Sequence, residues 1–295
     1  MSDLPPILFM AFNRPDTTAK VFQAIRESRP TKLYIALDGP RNHQETIKCA
    51  QVREIVENID WECEVKRLYH NENLGCGKAV SSAITWFFNH EEEGIILEDD
   101  CLPDSSFFPY CQMMLEKYRN EGRVMMVSGD DFTSGIHHND DYYFITHFPI
   151  WGWATWRRAW DKHDVSMSAW PEFRDQGRTL KIVQHEAMAG WLNTCFEQTY
   201  QGKIDTWDHQ WTFTCLLNNG LSICPHGNLI SNIGFDGTHM TKKRIGHLMN
   251  IPRVSFNISS VRHPQAITPD IPAQNTIYDA VLKDADIMGW TNQVY

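Results

Sequence analysis

The first hundred residues repeat one pattern: a short apolar run, a polar break, then an amphipathic stretch with apolar positions three or four apart. Residues 7–12 (ILFMAF) read as a strand, broken by Asn13-Arg14-Pro15-Asp16-Thr17. Asp16 is placed as the N-cap of the next helix, with Val21, Phe22 and Ile25 as its buried stripe. Residues 33–37 form a second strand, closed by the turn signal Asp38-Gly39-Pro40-Arg41. A helix over 46–58 carries Ile47, Val52, Ile55 and Val56 on one side, and 63–68 alternate as a third strand. The loop 71–77 feeds a helix with Ala79, Ala83, Trp86 and Phe87 inward, and 94–97 are the fourth strand. Strands separated by helices of this length imply βαβ units and a parallel sheet. Right-handed crossovers then bring the loops near Asn13, Asp38, Asn73 and Asp99 to one edge.

Further strands are expected at 124–129, 142–146 and 221–224, and 166–206 read as mostly helical. Trp153, Trp156 and Trp160 fall at i, i+3 and i+7, one face of a helix. Beyond Asn250 the chain turns irregular, with Pro252, Pro264, Pro269 and Pro272. This divides it into a domain over 1–250 and a wrapping tail over 251–295.

A formal net charge of −10 with no basic run argues against nucleic acid as a partner. No apolar run is long enough to span a bilayer, and MSDLPPILFMAFNRP has neither a basic n-region nor a cleavage site. Eight cysteines without a C-x-x-C pair read as free thiols. The expectation is a cytoplasmic protein, at most peripheral at the inner membrane face. Thirteen histidines show no zinc spacing, and His137 and His138 read as part of a solvated turn.

The densest chemistry is GIILEDDCLPD, residues 94–104, where an apolar strand ends in Glu98, Asp99 and Asp100. Pro103 keeps the next residues out of a central ladder. Ligands bind at the carboxyl ends of strands in open α/β sheets. Three acids there repel unless something positive sits among them, most cheaply a divalent cation. Oxygen ligands suit magnesium or manganese, and those ions suit diphosphates. A merely solvated acidic turn is the competing reading.

Trp151 precedes Gly152 in a turn, where its indole either stacks on a sugar or packs internally. Asp205 or Thr206 would cap the helix that carries Trp207 and Trp211. Asp208, in its first turn, suits the helix dipole and could equally serve as a general base. NLGCGKA, residues 73–79, is neither a P-loop nor a Rossmann fingerprint; Lys78 there either meets a phosphate or is solvated. The polar loop 231–241 can fold over a ligand, with His239 reaching a phosphate or metal or remaining at the surface.

In this order FNRPDTT, ALDGPR, NLGCGKA, LEDDCLPD, PIWGWATW, TWDHQWTF and GFDGTH resemble GT-A-fold glycosyltransferases over roughly residues 5–245. The nearest likeness is to the N-acetylglucosaminyltransferase I type and bacterial relatives, including hemolysin-like sugar transferases. The resemblance implies a GT-A, Rossmann-like, mixed and mainly parallel sheet flanked by helices. It implies that Asp38 meets the uracil edge and that Asn13 and Arg14 lie where the nucleoside is held. Glu98 and Asp99 would orient donor sugar and ribose, Asp100 would be the sole direct protein ligand of the metal, and Asp208 the catalytic base. The loop around His239 would order over the diphosphate. The tail after Asn250 matches nothing in the family, so the sugar is not implied.

The function expected is a manganese- or magnesium-dependent inverting transferase, moving a sugar from a nucleotide diphosphate sugar, UDP first, to a glycan or lipid-linked acceptor. Trp151 would help form the acceptor wall. The alternatives are an inactive carbohydrate-binding or scaffold protein on the same fold and a sugar-1-phosphate nucleotidylyltransferase.

Overall fold

The computed structural model describes residues 4–133, 140–146, 150–234 and 246–288. The chain opens with three strand–helix repeats: β1 (Ile7–Ala11), α1 (Pro15–Ser28), β2 (Lys32–Leu37), α2 (His43–Glu57), β3 (Glu64–Tyr69) and α3 (Cys76–Phe88). Then come β4 (Glu93–Glu98), β5 (Cys101–Pro103), α4 (Phe107–Tyr118), β6 (Val124–Ser128), β7 (Tyr142–Ile145) and β8 (Trp153–Trp156). The helices α5 (Arg157–Trp160), α6 (Trp170–Asp175), α7 (Arg178–Val183), α8 (Glu186–Tyr200) and α9 (Asp208–Leu217) precede β9 (Leu221–Pro225) and β10 (Ile230–Asn232). A 3-10 turn at Ile258–Ser260 and α10 (Ile271–Met288) close the chain.

Eight strands form one sheet in the order β3-β2-β1-β4-β8-β6-β9-β7. β1 to β4 are parallel, and β6 and β9 run with them because β8 is antiparallel to both β4 and β6; β7 is antiparallel to β9. The result is the expected α/β class, a Rossmann-like, mixed and mainly parallel sheet flanked by helices. Alternate residues feed two cores. Leu8, Met10, Tyr34 and Ile96 pack with Ile84 and Phe87 of α3. Ile7, Phe9, Leu33 and Ile95 pack with Val21, Val52 and Met114 on the other face. A parallel strand buried on both faces reads as a continuous apolar run, which is why β1, β2 and β4 were legible.

Several expectations are corrected. Trp153 and Trp156 lie on β8, not on a helix. Three residues apart in a strand, they point to opposite faces, and each joins a different core. Asp16 is not the N-cap of α1: Arg14 holds that position without a side-chain cap, and Asp16 stands in the first turn. Ile47 is exposed, so only Val52 and Val56 of α2 are fully buried. The residues after 250 are not irregular throughout. In α10, Ala273, Gln274, Ile277 and Tyr278 are completely buried. The Asp270 carboxylate accepts from the Ala273 amide at 3.0 Å and caps that helix. The tail also lies along β7, the sheet's edge: the Asp141 amide donates to the Arg262 carbonyl at 3.0 Å and the Asp270 amide to the Phe144 carbonyl at 2.8 Å. No described helix is long and apolar enough to cross a membrane. All eight cysteines are free thiols.

Candidate active site

The strand order reverses between β1 and β4, so their carboxyl ends flank the crevice where α/β folds bind ligands. A cleft of about 450 Å³ opens there, lined by the loops that follow β1, β2, β3 and β4 and by Asp205. β5 leaves the main sheet to pair with β10, which turns the chain away directly after Asp100.

Arg14 crosses the switch point. One guanidinium nitrogen donates to Asp100 Oδ2 at 2.7 Å and another pairs with Asp99 Oδ1. The Arg14 side chain is 10% exposed, Asp99 3% and Asp100 16%. Burial works against the Arg14 charge, but the two carboxylates more than offset it and raise its pKa. Three adjacent acids require a cation among them, and the chain supplies one itself. It does not balance them all. Burial pushes Glu98 up to about 8, with Asp100, Asp99 and Asp208 adding to the rise and Arg14 opposing it. Burial likewise raises Asp99 to about 6 in spite of Arg14.

Asp38 sits at the end of β2. Its Oδ1 accepts from the Gly39 and Leu74 amides, both at 2.9 Å, and its Oδ2 from Asn73 Nδ2 at 2.7 Å. Burial raises its pKa, and the Leu74 and Gly39 amides, His70 and the Gly75 amide draw it back. Asp38 thus ties the second loop to the third. Asn13 is buried and donates to Glu45 Oε1 of α2 at 3.1 Å, behind the cleft rather than among its lining residues. Lys78 is exposed on α3 and does not line the cleft. Asp208, the first residue of α9, accepts from the Thr206 hydroxyl and from the His209 amide at 2.8 Å through Oδ1. His239 lies outside the described residues, as do His137 and His138.

Asp205 does not cap its own helix. Trp207 holds that position in α9, and the Asp205 carboxylate instead accepts from the Cys76 and Gly77 amides of α3, each at 3.0 Å. Trp151 is partly buried, 5.4 Å from the Phe132 ring, and its amide donates to Asp130 Oδ2 at 3.1 Å. The pairing of Ile96 with Trp153 places Trp151 past the same strand end as Glu98.

Sequence reasoning passed over several groups. Phe12, Arg41, His70 and Cys76 line the cleft. His70 Nε2 is buried without a hydrogen-bond partner among the described residues. Phe12 and His70 stand directly after β1 and β3, Arg41 in the turn after β2 and Cys76 at the start of α3, and that position was the available signal. Asp130 is fully buried with Oδ1 unpartnered among the described residues, and burial raises its pKa well above the carboxylate range. Nothing in the sequence separated it from the partly buried Asp131, Asp140 and Asp141.

The acids suit a hard divalent cation in chemistry, with more negative charge than Arg14 balances. In number they fall short. No group of three His, Cys, Asp or Glu side chains among the described residues comes together to hold a metal. A Cβ on Gly234 would lie 2.3 Å from Asp100 Oδ2, so that side of the carboxylate is covered.

No protein-family model matches the chain, and no curated protein matches its sequence. Among solved structures it is similar to HddC from Yersinia pseudotuberculosis, at 10% identity over 52% of this chain and 78% of that one, with a TM-score of 0.34. It is similar to an active-site mutant of LgtC at 13% identity, over 58% of this chain and 65% of that one, TM-score 0.36. A UDP-glucose pyrophosphorylase complexed with UDP-glucose aligns at 11% identity over 78% of this chain and 94% of that one, TM-score 0.38. Likenesses this remote leave function to the site's own residues.

Proposed function

We propose that the protein is an inverting glycosyltransferase that moves a sugar from a nucleotide diphosphate sugar, UDP first, to a hydroxyl of a glycan or lipid-linked acceptor. The observation that carries this reading is the placement of Glu98 and Asp99 on a cleft at the switch point whose wall also includes Asp205, three residues before Asp208. A carboxylate accepts about four hydrogen bonds, so Asp38 keeps capacity for a base edge beyond its three internal donors. Arg14 faces the same cleft and can share its guanidinium with phosphate oxygens. Glu98 and Asp99 would accept from hydroxyls of the donor sugar and ribose. Manganese or magnesium, held by Asp100 with the diphosphate, would supply charge neutralisation to the leaving group. Asp208, anchored through Oδ1, would take the acceptor's proton on Oδ2, with Trp151 forming part of the acceptor wall.

Calorimetry with UDP, GDP and TDP, in manganese and again in EDTA, tests this reading. Binding of one nucleotide with metal supports it, and no binding to any of the three overturns it. Binding that survives EDTA assigns the counter-charge to Arg14 alone. Asp208→Asn should leave nucleotide affinity within about threefold while lowering transfer by roughly 10²-fold or more, the usual contribution of a general base. An Asp208→Asn variant with full transfer activity would remove Asp208 from the mechanism.

A further inference from the structure

The glycine pair in NLGCGKA finds its partner in the chain's own Asp205. α3 starts at Cys76 behind Gly75, whose φ is 81°, and it carries no side-chain cap of its own. Asp205 supplies one from 129 residues away: Oδ2 accepts from the Cys76 amide and Oδ1 from the Gly77 amide, both at 3.0 Å. Two amides at a helix start, with the dipole behind them, hold a carboxylate in a defined position. The approach leaves no room for side chains. A Cβ on Gly75 would stand 2.5 Å from Asp205 Oδ2, and one on Gly77 would stand 2.8 Å from Oδ1 and 2.7 Å from the Thr206 carbonyl oxygen.

The same short segment carries the candidate base. Thr206 donates its hydroxyl to Asp208. Trp207 is buried and stacks on Trp153 of β8 at 5.7 Å with an interplanar angle of 16°. Residues 205–208 are therefore pinned twice, to α3 through Asp205 and to the sheet through Trp207. We propose that Asp205 is a positioning residue: by capping α3 it ties the donor-side loop to the start of α9 and so sets where Asp208 stands. This rests on the reading of Asp208 as the base. It gives Gly75 and Gly77 a reason that phosphate binding does not. The α3 amides that a phosphate loop would offer are already taken by a carboxylate of the protein.

The test compares Asp205→Ala and Asp205→Asn with the wild-type protein. Misplacing a reacting group by about 1 Å can cost about 10²-fold. Asp205→Ala should accordingly lower kcat by about 10- to 100-fold and weaken UDP binding by a clearly smaller factor, since Asp205 also lines the cleft. Asp205→Asn, which keeps one carbonyl oxygen for an α3 amide, should regain about tenfold of the loss. In an Asp208→Asn background, Asp205→Ala should change the residual rate by less than about twofold, because the group it positions has gone. Loss of UDP affinity in parallel with kcat, or an undiminished kcat, overturns the proposal. A wild-type protein that neither binds nor transfers a nucleotide sugar would sink the transferase reading instead. Amide exchange then decides the coupling: Asp205→Ala must speed exchange at 206–209 as well as at Cys76 and Gly77, and unchanged protection at 206–209 overturns it.

Discussion

At Arg14 one guanidinium carries the counter-charge for the buried Asp99 and the partly buried Asp100, and both neighbours depend on it. Removing one partner from a buried ion pair leaves uncompensated charge, which costs about 3–5 kcal/mol. Arg14→Ala should lose stability of that order in urea unfolding at pH 8, and manganese should recover more of it in the variant than in the wild type. A variant as stable as the wild type would show that the acids are relieved some other way. Glu98 has the opposite relation to pH. Its folded pKa of about 8 lies above the ordinary value of 4.5, so the folded state holds its proton more tightly than the unfolded chain does. That contribution is fully present below pH about 4.5 and is lost as pH rises through about 8. Asp99, raised from 3.8 to about 6, acts in the same sense over a lower window. Melting temperature of the ligand-free protein should therefore fall between pH 5 and 8 more steeply in the wild type than in Glu98→Gln. Equal slopes would refute the assignment.

Among the elements, those that stand alone were read well and those defined by a distant partner were not. α1 announced itself through Pro15 in its first turn and its stripe of Val21, Phe22 and Ile25. β8 did not, because four residues with two tryptophans three apart satisfy a helix pattern as easily as a strand. Pairing with β4 and β6 settles the matter. α10 carried a readable start, Asp270 followed by Pro272, but the surrounding prolines suggested an irregular tail. In the fold its Gln274 side chain accepts from the Thr146 hydroxyl at 2.9 Å and donates to the Val183 carbonyl at 3.1 Å. Asp284 accepts from the Leu248 amide at 3.1 Å, linking α10 to the segment after residue 245. Ile277 and Tyr278 add two fully buried side chains, each worth about 1.5–3 kcal/mol. A chain stopped at residue 250 should thus lose the single cooperative thermal transition and its near-UV circular dichroism. A truncated protein with both intact would make α10 dispensable.

For the whole molecule, residue type and spacing determined the parallel half of the sheet, the acid triplet at the end of β4 and the convergence of the first loops on one edge. These are local properties: buried parallel strands must be apolar throughout, and right-handed crossovers leave their loops on one side. Only the tertiary structure decided that Arg14 lies between Asp99 and Asp100, that Asp205 caps α3, and that Asp130 is buried beside Trp151. Those contacts join residues 21 to 129 positions apart, and sequence spacing carries no trace of them. A carboxylate in a turn looks the same in the sequence whether it meets water, an arginine or the start of another helix. Folding alone brings the partner that settles its charge.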